Sequence, residues 1–294
     1  MSFDNPFECP GQWLKGNLHT HTTLSDGCLS PQQRISAYAA KGYDFLALTD
    51  HDRLADIESV SSNRLILIRG IEVGCDNPTG GPSYHIVGLG LPASFQTPAT
   101  RHVQTVVDAI NAAGGRAIIA HPYWCGQSIK DLEVVADALG VEVFNATCLR
   151  GIGKGTSAVQ WNDLLSQGKT ALGFAVDDAH AETRDAFQGW VMAKCESRTR
   201  EGVMDALVRG RFYATCGPTL ESLAVDGLRI RVRTSPAAYI SFIADGPRGG
   251  HVFREDGAPV TEGEYTARNG ERFVRVECTD QAGRTAWSNP VFFK

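Results

Sequence analysis

The sequence has no uninterrupted apolar run approaching the roughly 18 residues that a membrane-spanning helix requires, so it offers no candidate transmembrane segment. It also has no Lys/Arg-rich block. With 28 basic and 33 acidic side chains the net charge is −5, which argues against an obligate nucleic-acid binder but still allows a phosphorylated fragment in a deep site. Eight cysteines (Cys9, Cys28, Cys75, Cys125, Cys148, Cys195, Cys216 and Cys278) form no C-x-x-C pair and no dense disulfide framework. They read as free thiols in a reducing compartment, and a cytoplasmic protein is expected. The opening stretch MSFDNPFECPGQW lacks both a basic start and an apolar centre and is not expected to be a signal peptide. There is no internal repeat and no low-complexity tract. What is present is an ordinary globular composition, 43% apolar and 21% charged over 294 residues, enough for one large α/β domain or a medium domain with a small one.

The first two-thirds of the chain alternates short apolar runs with helical patterns, the signature of a βα architecture. Strands are predicted at Trp13–Leu18, Phe45–Thr49, Leu65 to Ile71, His85–Gly90, Ala117–Ala120, Val141–Phe144 and Ala171–Val176. Helices are predicted over Ser30 to Gly42, with an N-cap serine and an N1 proline, and over Thr97–Ala113, Ser128–Leu139, Thr156–Gln167 and Thr199–Val208. The segment GCDNPTGGPSY before His85 is too rich in Gly and Pro for a crossover helix, so a loop or hairpin is expected there. Gly210–Pro218 reads as a boundary. Beyond it the helical period gives way to alternation and Gly-containing turns, which predicts a small all-β, sandwich-like module. The division expected is 1–217 and 218–294.

Six of the eight histidines fall at or beside strand ends, and carboxylates accompany them. His19 and His21, at i and i+2, point to one side of an extended backbone and can reach one ion. With Asp26, His51, Glu72, His85, His121, Asp178 and His180 they make a set of metal-ligand candidates, because strand ends in barrel-like α/β folds converge on one rim. His85 reaches that rim only if a hairpin follows Glu72. Asp50, Asp52 and Asp177 are better cast as partners that orient imidazoles. His102 and His251 read as structural or solvent-facing. Histidine with carboxylate suits Zn²⁺, Mn²⁺ or Fe²⁺. Nine candidates exceed what one ion can use, so two or three divalent ions are implied, with a bridging hydroxide as the expected nucleophile.

These motifs, His19-Thr20-His21 with Ser25-Asp26-Gly27, Thr49-Asp50-His51, Glu72, His121-Pro122 and Asp178-Ala179-His180, resemble those of the polymerase and histidinol phosphatase (PHP) superfamily. Val176–His180, Gly210–Ala214 and Ala286–Pro290 further resemble its carbaryl-hydrolase-like branch. The resemblance implies a distorted (β/α)7 barrel followed by a small all-β domain. It also implies one ion held by His19, His21, Glu72 and Asp178, a second by Glu72, His85 and His121, and a third by Asp26, His51 and His180. Several relatives carry histidine where Asp26 stands, and others a cysteine or histidine near Asn145.

The leading expectation is a metal-dependent phosphoesterase, with Asp178, His180 and Glu72 as catalytic candidates, Arg150, Lys154 and Arg184 as substrate contacts, and Asn145 either as a further substrate contact or as a hydrogen-bonding partner of the ligands. Arg150 and Lys154 are expected in a glycine-rich loop. The alternative keeps the site and changes the electrophile to a carbamate, amide or ester, with Tyr84, Tyr123 and Trp124 walling an aromatic pocket. A non-catalytic metal-binding module is a third reading, disfavoured because structural sites are usually closed and four-coordinate. The partners expected are a small phosphorylated substrate and, for the β module, possible pairing with a second copy. Stable nucleic-acid binding and membrane association are not expected.

Overall fold

The computed structural model describes residues 4–60 and 64–293. In chain order the first region contains β1 (Gln12–Asn17), α1 (Pro31–Ala40), β2 (Phe45–Leu48), β3 (Ile66–Cys75), β4 (Tyr84–Leu89), α2 (Val103–Ala112) and β5 (Arg116–Ile119). It continues with α3 (Pro122–Cys125), α4 (Ile129–Leu132), β6 (Gly140–Asn145), α5 (Ala146–Ile152), α6 (Ala158–Ser166), β7 (Leu172–Val176), β8 (Trp190–Cys195), α7 (Arg200–Val208) and β9 (Phe212–Thr215). The β-rich remainder holds β10 (Leu220–Asp226), β11 (Arg229–Ala237), β12 (Tyr239–Ala244), β13 (Gly249–Phe253), β14 (Val260–Thr266), β15 (Phe273–Thr279), β16 (Thr285–Ser288) and β17 (Val291–Phe292).

Strands β2, β6 and β7 are buried along their whole length, which is why β2 and β7 read as continuous apolar runs and β6 as a run broken only by Glu142 and Asn145. β1, β2 and β3 pair in parallel, as do β5, β6 and β7. Between these runs β4 is antiparallel to both neighbours, so β3 and β4 form the expected hairpin. The mixed α/β fold matches expectation, but no ladder joins β1 to β7 among the described residues. The two meet just past their ends, through a parallel bridge between Thr20 and Ala179 and backbone bonds from His21 N to Ala179 O (3.0 Å) and Asp178 N to His19 O (2.9 Å).

Several expected elements need correction. The helix from Thr97 begins only at Val103, because the preceding residues run extended beside Asp76. His102 is therefore the residue before that helix and not one of its members. The Ser128–Leu139 helix ends after Leu132. Gln104 on α2 accepts from Ala136 N (2.8 Å), Asn111 donates to Asp137 O (3.0 Å), and Asp137 takes a left-handed φ of 57°, so the chain finds its partners outside a helix. The glycine-rich loop after Asn145 is α5, started by the Asn145 side chain accepting from Cys148 N at 2.9 Å. Arg150 therefore sits on a helix. Two strands were missed, β8 and β9. The segment read as a boundary contains β9, which pairs with both β8 and β16.

That pairing carries the sheet without a break from the first region into the C-terminal one, in the order β9, β16, β15, β12, β13. A three-stranded sheet (β10, β11, β14) faces it. Leu220, Leu223, Ile230 and Val232 pack there against Ile240, Phe242, Val274 and Val276, a sandwich-like second core. Asn289 ties the two regions together. It is 2% exposed, accepts from Gly173 N at 3.1 Å on β7, and donates to Gly210 O and Phe212 O at 3.2 and 3.0 Å. Asn289→Ala would leave three buried backbone groups short of a partner, a loss of about 2–3 kcal/mol. A denaturant midpoint that barely moves would show that these bonds do not hold the regions together.

Candidate metal centre

The geometry follows from what each strand end does with alternate residues. In His19-Thr20-His21 both imidazoles turn inward, while Thr20 turns the other way and donates from Oγ1 to Ala47 O at 2.7 Å. Arg34, buried on α1, fastens the rim by donating to the carbonyls of His21, His180 and Ala181. Opposite, the chain leaves β7 through Asp178, whose left-handed φ of 56° sends its carboxylate into the same space. His121 also has positive φ, 31°. Two non-glycine residues of the cluster thus hold a backbone conformation costing about 1–2 kcal/mol each.

Glu72, 1% exposed, occupies the centre. Its Oε2 lies 3.1 Å from His19 Nε2, 3.1 Å from His21 Nε2 and 3.2 Å from His51 Nδ1. Its Oε1 lies 2.8 Å from His85 Nδ1 and 3.2 Å from His121 Nε2. Asp178 Oδ1 is 3.0 and 3.2 Å from the Nε2 atoms of His21 and His19. At the outer edge Asp26 Oδ2 is 3.3 Å from His180 Nε2 and 3.6 Å from His51 Nε2. Potential ligand atoms fall into three groups: His19, His21, Glu72 and Asp178; Glu72, His85 and His121; and His21, Asp26, His51 and His180. All nine candidates are brought together, with His21 adjoining the third group as well as the first.

The donor set suits a cation. Asp178 Oδ1 is buried, with the Nε2 atoms of His19 and His21 in front of it. His19 Nδ1 contacts Glu142 Oε1 at 2.6 Å, and with its proton there the Nε2 lone pair faces the same point as Asp178 Oδ1 and Glu72 Oε2. Without an ion, protons do this balancing. Burial, which alone would lower the His21 pKa, is outweighed by hydrogen bonds to Asp178 and Glu72, and the group is pushed up to about 9. His19 and His121 are likewise held well above the usual imidazole range, against burial, by neighbouring carboxylates and, for His121, by the Cys125 thiol. Burial would raise Glu72, but the imidazoles around it hold it well below the usual carboxylate range.

The residue missed from sequence is Glu142, 1% exposed between Val141 and Val143 of β6. A charged residue inside a continuous buried run was the available signal. One oxygen meets His19 Nδ1; the other accepts from His121 N at 2.9 Å and Asn145 Nδ2 at 2.9 Å. Asn145 also donates to Asp178 Oδ2 at 3.1 Å. Of the aspartates expected to orient imidazoles, Asp52 and Asp177 touch none, and Asp50 reaches one through Ser25, whose Oγ donates to Asp50 Oδ1 at 2.8 Å and lies 3.4 Å from His21 Nδ1. Asp50 binds Thr22 and Ser25, Asp177 binds Tyr38 and the backbone of Phe187 to Gly189, and Asp52 pairs with Arg101 on the surface. Of the expected substrate contacts, Arg150 donates to Gln188, Arg184 is 72% exposed near Asp185, and Lys154 lies over the Tyr123 ring. Tyr84 is fully buried, with its hydroxyl on Asp131 O, and walls no pocket.

A crystal structure of a two-domain protein from Bacteroides vulgatus, containing a predicted PHP-like metal-dependent phosphoesterase, aligns over 95% of both chains with a TM-score of 0.54 at 16% identity. The fold is PHP-like. No family model matches the chain. Among curated proteins, 81 residues are 39% identical to a 5′-3′ exoribonuclease of Haemophilus influenzae, covering 26% of this chain and 29% of that protein. A further match, 40% over 79 residues, is to a 3′,5′-nucleoside bisphosphate phosphatase of Chromobacterium violaceum, covering 26% and 27%. The chain thus spans under a third of the length of these relatives. These matches are local, whereas the likeness to the PHP-like fold extends over nearly the whole chain.

Glu142→Gln, which preserves shape and removes charge, should weaken divalent-ion affinity by about 10–100-fold while circular dichroism stays native. Unchanged affinity would remove Glu142 from the site. An entering ion must displace the proton that His21 carries below pH about 9. Affinity should therefore fall about tenfold per pH unit for each displaced proton as the pH drops. Chelator competition showing no pH dependence between about pH 6.5 and 8.5 would contradict that coupling.

Proposed function

We propose that the protein is a metal-dependent phosphoesterase acting on a small phosphorylated substrate, in the carbaryl-hydrolase-like branch of the PHP superfamily. In this reading the rim of residues 17–180 is that of a distorted (β/α)7 barrel, 218–294 is an appended β domain, and the chain works in the cytoplasm. The observation that carries it is the placement of both Glu72 oxygens within 3.2 Å of five imidazoles, beside the buried Asp178. No purely structural four-ligand site needs so many donors.

His19, His21, Glu72 and Asp178 would hold one ion, Glu72, His85 and His121 a second, and His51, His180 and Asp26 a third. Mn²⁺, Fe²⁺ or Zn²⁺ suits these donors. Bound there, divalent ions supply Lewis acidity toward a phosphoryl group and lower the pKa of water. The chain's own part is orientation. Glu142 fixes the His19 ring, Asn145 fixes the Asp178 carboxylate, and Cys125, 3.5 Å from His121 Nδ1, steadies the third imidazole. His180 and His51, 26% and 33% exposed, form the open edge at which a substrate can enter. Arg150, Lys154 and Arg184 are the cations in reach of an anionic substrate by side-chain movement.

Metal content per chain and turnover of a phosphomonoester, a phosphodiester and an aryl carbamate, measured side by side on Mn²⁺-loaded protein, test this reading. Phosphoester turnover should fall by about a hundredfold or more in His19→Ala and Asp178→Ala. Carbamate turnover with inert phosphoesters would replace this function with the alternative one.

A further inference from the structure

Tyr123 and Trp124 are 41% and 42% exposed, whereas Trp161 and Trp287 are buried. Their position is notable because they lie two and three residues after His121, just past Pro122. The Trp124 ring lies 5.1 Å from the His121 ring, edge to face at 79°, and 5.9 Å from the His85 ring. Trp124 therefore borders the Glu72, His85 and His121 group itself, with Tyr123 beside it in the chain.

The segment that presents these rings is fixed. Cys125 N bonds to His121 O, Gly126 N to Tyr123 O and Gln127 N to Pro122 O, all at 3.0–3.1 Å. Tyr123 N donates to Ser157 Oγ at 3.2 Å, and Gly126 closes the turn with a φ of 79°. Lys154 brings its ammonium to 5.5 Å from the Tyr123 ring centroid and has no carboxylate within ion-pair distance among the described residues. Held aromatic faces left in water forgo the burial that normally stabilises such side chains, and they suit a planar ring that stacks without needing matched hydrogen bonds. The neighbouring ammonium adds attraction for a ring bearing electron-rich acceptors or a second anionic group.

We propose that Trp124, with Tyr123 and Lys154, is a stacking shelf that binds the planar aromatic group of the phosphoester and makes the site selective for aromatic over aliphatic substrates. This rests on the phosphoesterase reading above. Trp124 acts in specificity and touches no reacting atom. A nucleobase and a simple aryl ring share the required chemistry.

The test compares wild type, Trp124→Ala and Trp124→Phe as Mn²⁺-loaded full chains on adenosine 3′,5′-bisphosphate, phenyl phosphate and glycerol 2-phosphate. In Trp124→Ala the kcat/KM ratio of the bisphosphate to glycerol 2-phosphate should fall about tenfold or more, mainly through KM, with Trp124→Phe restoring most of it. A matching fall for phenyl phosphate assigns the shelf to any aryl ring; its absence assigns it to nucleobases. Equal losses on all three substrates, with lower metal content, would make Trp124 a support for the histidines and overturn the proposal. If wild type hydrolyses none of them, the phosphoesterase reading fails alone. Calorimetry of adenosine 3′,5′-bisphosphate binding then decides the shelf: about tenfold weaker binding in Trp124→Ala upholds it, and equal or undetectable binding in both overturns it.

Discussion

One carboxylate organises this molecule. Glu72 has almost no contact with solvent, and its two oxygens face imidazoles from the ends of β1, β2, β4 and β5. Burying such a charge costs several kcal/mol unless opposite charge surrounds it. The fold supplies that surround through details that would otherwise look arbitrary. His51, past the end of β2, forms a bridge to Glu72 within β3, and the β3–β4 hairpin reverses the chain so that His85 arrives at the same rim. A parallel β4 would have carried His85 to the opposite end of the sheet.

Much of this was legible because both periodicities are local. The i, i+2 spacing of His19 and His21 and the apolar runs of β2, β5, β6 and β7 declare themselves within a few residues, and the Gly/Pro content of 74–84 signalled the hairpin. Glu142 was not legible in the same way, since its meaning depends on His19 and the His121 amide, which lie far away in sequence. Asp52 and Asp177 misled for the converse reason. They adjoin ligands in sequence but bind a surface arginine and backbone amides. Asp178 reached the cluster by a left-handed turn, which i, i+2 reasoning for an extended strand does not contain.

Strands β8 and β9 escaped notice because helix α7 separates them and their pairing partners lie at opposite ends of the chain. Their effect is architectural. β8 covers the free edge of β1, and β9 hands the sheet on to β16, so a strand edge that would invite association is used within the chain. The Ala286–Pro290 phrase then has a physical meaning, with Trp287 in the first core and Asn289 bonded to β7 and to the segment entering β9.

The seam between Thr20 and Ala179 runs through the two segments that also carry His19, His21, Asp178 and His180. Successive residues there alternate between reaching the cluster and holding the sheet. The number of residues in each segment is therefore as constrained as their identity. One inserted residue between Leu18 and His21, or between Asp177 and His180, would exchange the two duties and turn ligands into the wall. The exposed turn around residues 77–82 carries no such alternation and can change in length without disturbing the count at the rim.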